Sequence, residues 1–78
     1  MKEIEFRIIE IIEELSVVPV TDVSVLLIDD LALDSFKMIM LLIMLEEEFE
    51  IQFDETDLDP KKIVRVQDVI SLVYKYWQ

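Results

Sequence analysis

The chain has 78 residues, 54% of them apolar, with no cysteine, no histidine, no glycine and a formal net charge of −11. That length predicts one small domain over residues 1–78, and the missing residue types exclude disulfide staples and most structural zinc sites, leaving helix packing to hold it together. The charge excludes nucleic acid and opposes an anionic membrane; it suits encounter with basic protein patches or serves solubility alone.

Residues 1–15 predict an amphipathic helix. Ile4, Ile8, Ile11, Ile12 and Leu15 recur at helical spacing, with Glu3, Arg7, Glu10 and Glu14 on the opposite side. Glu3 and Glu5 stand where a signal peptide needs a basic start. The longest apolar run, residues 38–45, is far short of the roughly 20 residues that span a bilayer. The expectation is a soluble, cytoplasmic protein with no export signal and no membrane span.

Residues 16–33 read as a long connection. Pro19 cannot sit inside a helix, and Val17, Val18, Val20, Val23 and Val25 are poor helix formers. A loop of this length must be pinned by its own side chains or be functional. Val25, Leu26, Leu27, Ile28 and Leu31 are the expected anchors, and residues 21–27 are expected to form a helical turn. No second strand is available to pair with the valine-rich part, so no sheet is expected.

Residues 35–48 predict the second helix, with Asp34 as N-cap and Ser35 at the first helical position. Leu41, Leu45 and Phe49 repeat every four residues and, with Met38 and Leu42, suit a core. Phe36, Ile39, Met40 and Ile43 fall on another face. A helix apolar nearly all round is either buried under the long loop or offers one face to a partner, and the pattern leaves both open.

Every charged residue from Glu46 to Asp59 is acidic. The first of these carboxylates lie at the helix C-terminus, where the dipole disfavours them. Residues 54–59 lack the glycine and the spaced glutamate of a calcium loop, so no metal site is expected. Asp59-Pro60-Lys61-Lys62-Ile63 reads as an N-cap, a proline at the first helical position and one short turn. Residues 66–77 predict the last helix, with Val66, Val69, Ile70, Val73 and Trp77 on its inner face and Tyr74 and Tyr76 bordering it.

Enzymatic chemistry has no support in this inventory. Without histidine or cysteine there is no nucleophilic relay, and without glycine no phosphate-cradling loop. Ser35 on its own reads as a helix-start residue. Its position at the positive end of a helix dipole also favours a phosphate ester on its oxygen.

The runs Asp29-Asp30-Leu31-Ala32-Leu33-Asp34-Ser35-Phe36 and Leu45-Glu46-Glu47-Glu48-Phe49, with Val66-Gln67 opening the last helix, resemble the acyl carrier proteins and the related peptidyl and D-alanyl carrier proteins. The resemblance covers nearly the whole chain. It implies an all-α bundle of three main helices plus one short helix, a four-helix bundle by count, with a long loop between helices one and two. It implies that Ser35 carries 4′-phosphopantetheine covalently, installed from coenzyme A by a phosphopantetheinyl transferase. The arm's thiol then holds acyl or aminoacyl groups as thioesters for a loading enzyme and for downstream acyl-using enzymes. Asp34, Phe36, Ile39, Met40, Ile43, Glu46 and Glu47 match family positions that meet partners.

The chain departs from the family at several points. Ala32 replaces a customary glycine, Lys37 and Met40 stand where fatty-acid carriers are usually acidic, and Arg65 replaces a capping threonine or serine. Leu58-Asp59-Pro60 is closer to D-alanyl and peptide-synthetase carriers. The expectation is a free-standing carrier, not an enzyme, serving a dedicated secondary-metabolite or peptide-synthetase-like pathway rather than general fatty-acid synthesis. The competing expectation is an acidic helical adaptor with no prosthetic group, binding through the apolar face of helix two.

Overall fold

The computed structural model describes residues 2–59 and 61–77, apart from the side chain of Lys2. Three segments of helical periodicity become helices: α1 (Lys2–Leu15), α2 (Ser35–Phe49) and α3 (Val66–Tyr76). The first residue of the expected α1, Met1, lies outside the described residues, as does Pro60. Among the described residues there is no strand, only an isolated antiparallel bridge between Leu26 and Arg65. The all-α expectation is therefore met.

The one short helix is a three-residue 3-10 turn, Glu55–Asp57, so the bundle has three α-helices and is not a four-helix bundle. Asp54 closes that turn by accepting the Thr56 amide and hydroxyl at 2.9 Å each, a local side-chain bond that competes with helix propagation. Further along, the Asp59 side chain accepts the Lys61 amide at 2.9 Å and its carbonyl accepts the Lys62 and Ile63 amides at 2.9 and 3.3 Å, the turn expected there.

α1 supplies Ile8, Ile11 and Ile12 to the core and packs against both α2 and α3. Leu41, Leu45 and Phe49 enter from α2, and Val66, Val69, Ile70, Leu72 and Val73 from α3. No polar or charged residue is buried among those described. The Cα radius of gyration is 11.3 Å, what a compact chain of this length has. The long connection is thus packed, not splayed.

Backbone bonds explain how. The Leu27 amide donates to Val64 at 2.9 Å, and the Val66 and Gln67 amides donate back to Val25 and Val23 at 3.2 and 2.9 Å. Arg65 Nη1 adds a 2.6 Å bond to the Ser24 carbonyl. The first loop is therefore stitched to the start of α3. Leu27 and Leu31 are buried as expected and Val25 packs against the core. Ile28 is instead 61% exposed, and Leu33, which periodicity did not single out, is fully buried. Within residues 21–27 one turn closes, the Val25 amide donating to Asp22 at 3.4 Å, and a longer one follows, with the Asp30 and Leu31 amides both donating to Leu26 at 3.1 Å.

With no glycine in the chain, two other residues take left-handed backbone geometry: Ala32 at φ 60° and Glu50 at φ 54°. Glu50 ends α2, its amide donating to the Glu46 carbonyl. Each left-handed residue with a Cβ costs about 1–2 kcal/mol. At α3, Arg65 has no acceptor to offer as a cap. Asp68 does the work from inside the helix, its carboxylate accepting the Val64 and Arg65 amides at 3.0 and 2.9 Å.

Candidate functional site

Asp34 leaves the loop in extended geometry, φ −83° and ψ 179°, and its Oδ1 accepts the Lys37 amide at 2.8 Å. The Met38 amide donates to the Asp34 carbonyl at 2.9 Å. Those bonds fix the first turn of α2. Ser35 opens that turn, exposed, and among the described residues no other group engages its hydroxyl. Asp34 Oδ1 is taken by the cap, and among the described residues no carboxylate accepts the Ser35 hydroxyl.

Ser35 borders a cleft of about 260 Å³ whose other walls are Ile28, Met38, Ile39, Leu42, Leu58 and Ile63. The lining carries no charge, and the serine is its one hydroxyl. The cleft exists because α2 and α3 make little direct contact, and the segment between them fills the gap incompletely with Leu58 and Ile63. Sequence periodicity pointed to Met38 and Leu42 as core positions. It gave no signal for Leu58 or Ile63, which lie in an irregular segment, and Ile28, expected as a loop anchor, lines the cleft instead.

The other residues singled out from sequence lie along α2. Phe36, Ile39, Met40 and Ile43 are 69%, 58%, 36% and 49% exposed, so the loop does not cover them. Glu47 is exposed too. Glu46 is half-buried, and its Oε2 accepts the Phe53 amide at 2.8 Å, tying the chain beyond α2 back to the helix. Glu48 receives Arg7 Nη2 at 3.0 Å, and that hydrogen bond holds its carboxyl below the usual range. The carboxylates that the helix dipole disfavours are thus used to join elements.

Between α2 and α3 a second cluster of contacts forms around Tyr76. The Asp54 amide donates to the Tyr76 hydroxyl at 2.9 Å, and that hydroxyl donates to Asp57. Lys75 Nζ reaches Asp57 at 2.7 Å, and the Tyr76 ring meets Phe53 edge-on at 5.2 Å between centroids. The Lys75 bond, then the Tyr76 bond, pushes the Asp57 carboxyl down from its ordinary value. Asp54 and Asp57 are therefore engaged, and among the described residues no three carboxylates converge on a metal position. Trp77 follows α3 and sits edge-on to Phe49 at 5.4 Å, 41% exposed, a partial lid.

Fold and inventory together define the class: a small all-α bundle with no histidine or cysteine for a nucleophilic relay. Among curated proteins the chain is similar to an acyl carrier protein of Campylobacter concisus (strain 13826), 33% identical over 66 residues and covering 83% of each chain. No protein-family model and no solved structure matches it. The chain belongs to the acyl carrier protein family. It is accordingly a carrier and not an enzyme. None of its described helices is long and apolar enough to cross a membrane.

Proposed function

We propose that residues 1–78 act as one carrier domain whose attachment point is Ser35, bearing 4′-phosphopantetheine. The observation that carries this reading is an exposed, unengaged serine hydroxyl at the start of a capped helix, opening directly onto an apolar cleft. The residues fit the group. An anionic phosphodiester on Ser35 Oγ meets the positive end of the α2 dipole. When bound, the arm supplies a thiol that holds an acyl group as a thioester.

Among the described residues no base engages the Ser35 hydroxyl, so a phosphopantetheinyl transferase would take its proton while Oγ bonds the phosphorus that bears pantetheine and the nucleotide portion of coenzyme A leaves from it. Asp34 holds Ser35 at the helix start through the cap. Ile28, Met38, Ile39, Leu42, Leu58 and Ile63 offer an apolar acyl chain a place out of water, a gain of about 25 cal/mol per Å² buried. An aminoacyl cargo would bring its ammonium against a wall with no counter-charge, which favours acyl over aminoacyl cargo.

Asp34, Phe36, Ile39, Met40, Ile43, Glu46 and Glu47 are the proposed partner-facing set, met by the transferase, the loading enzyme and downstream acyl-using enzymes. Glu46 contributes through the helix end that it also braces. Between Asp34 and Glu46 the helix carries Lys37 as its one charged residue, so docking rests on apolar contact. That surface suits a dedicated biosynthetic pathway, in the cytoplasm where coenzyme A is available.

The test is intact mass after incubation with coenzyme A and a broad-specificity phosphopantetheinyl transferase, with Ser35→Ala alongside. A gain of one phosphopantetheine in the parent chain alone is expected. A folded parent that gains nothing overturns the assignment of Ser35.

A further inference from the structure

The structure assigns to Tyr76 and Lys75 a positioning role: they latch the segment that carries Leu58, and so keep the cleft beside Ser35 walled. This rests on the reading of Ser35 as the attachment point, which gives the cleft its cargo.

The argument begins with what the segment lacks. Among the described residues between Phe49 and Val66 the only regular element is the turn Glu55–Asp57, so helix hydrogen bonds do not hold this wall in place. Phe53 and Ile63 are its buried anchors, and Leu58, only half-buried, lines the cleft with Met38 and Leu42. The intervening residues are held from α3. The Tyr76 hydroxyl accepts the Asp54 amide at 2.9 Å and donates a hydrogen bond to Asp57, and Lys75 reaches the same carboxylate at 2.7 Å. Asp57 immediately precedes Leu58, and the Leu58 amide closes the turn on Glu55 at 3.1 Å. One phenol thus holds both ends of the 3-10 turn.

The chemistry makes this latch separable from core packing. The Tyr76 ring contributes its edge to Phe53, while only the hydroxyl bonds Asp54 and Asp57. Tyr76→Phe keeps the first contact and removes the second. Lys75 is exposed, so Lys75→Met removes the ion pair and leaves an apolar stem. Each loss frees the turn to leave α3, and Leu58 with it.

The first measurement is amide hydrogen exchange on the unmodified chain. In Tyr76→Phe, exchange at Asp54 and Leu58 is expected to quicken about tenfold, the worth of a hydrogen bond to a charged group, while amides of α1 and α2 keep their rates. Lys75→Met is expected to act in the same direction and more weakly. The second is hydroxylaminolysis of octanoyl and acetyl thioesters on the arm. The octanoyl rate is expected to rise severalfold in Tyr76→Phe and the acetyl rate to stay, because only the longer chain reaches shelter. Unchanged exchange at Asp54 and Leu58, acceleration spread evenly over all helices, or parallel changes in both thioesters would overturn the latch. Failure of Ser35 to accept the arm would overturn the attachment reading instead, and the exchange comparison still decides the latch.

Discussion

The Ala32 amide donates to the Ile28 carbonyl at 3.0 Å, closing a turn in which Ala32 holds φ 60°. The next residues are Leu33, fully buried, and Asp34, which caps α2. Left-handed geometry at Ala32 therefore aims the chain so that Leu33 enters the core and Ser35 emerges at the helix start. The resemblance placed a glycine at this position, and the backbone shows what a glycine would relieve. Ala32→Gly is expected to raise stability by roughly 0.5–1 kcal/mol, the relief of strain less the entropy added to the unfolded chain. A higher urea midpoint at unchanged m-value checks it. A lower midpoint would show that Ala32 is unstrained.

The cap can be tested apart from its charge. Asp34→Ala leaves the Lys37 amide without its 2.8 Å partner and is expected to cost about 1 kcal/mol, whereas Asp34→Asn keeps the acceptor and loses less. Thermal melts of the three proteins give the ranking. Equal losses in the two variants would mean that the carboxylate acts through its charge alone.

Acid should loosen the bundle at identifiable ties. Glu48 is held below its ordinary value by Arg7, and Asp57 by Lys75 and then Tyr76. A folded-state value below the unfolded one contributes stability that is present above the unfolded value, about 4, and lost as pH falls through the lowered folded values. Glu48→Gln is therefore expected to be less stable than the parent at pH 7 and to match it near pH 2. Chemical denaturation across that range checks the convergence, and salt is expected to shrink the gap at pH 7 because the pair is exposed. A gap that persists near pH 2 would assign the loss to the glutamine itself.

Neighbouring apolar residues on α2 are expected to behave in opposite ways. Leu41 is fully buried, so Leu41→Ala is expected to cost about 2–5 kcal/mol. Met40, one residue earlier, lies on the open face, and Met40→Glu is expected to stay within about 0.5 kcal/mol of the parent. On the proposed function, Met40→Glu also slows acyl transfer by the chain's own partner enzymes while the fold stays intact. Unfolding curves paired with transfer rates separate the two effects. Unchanged transfer would remove Met40 from the docking set.

The three helices and the Asp34 cap were legible in the sequence because both signals are local. A stripe such as Ile8, Ile11 and Ile12 repeats within one segment, and a cap spans three residues. The same locality let Ser35 be placed at a helix start before its surroundings were known. Tertiary structure decided the rest. Leu33 turns inward and Ile28 outward in a loop whose backbone bonds go to residues 64–67, so no internal period could tell them apart. The one short helix beside the three main ones is a 3-10 turn at Glu55–Asp57, set by the Asp54 side chain accepting the Thr56 amide, while Asp59 forms its own turn further along. The cleft and the latch join residues far apart in sequence, as Tyr76 and Asp57 do across 19 positions. Hydrophobic pattern and capping act over a few residues and write the helices into the chain. Which irregular residues close around Ser35 is settled only when α1 brings α2 and α3 together, because their partners do not exist until then.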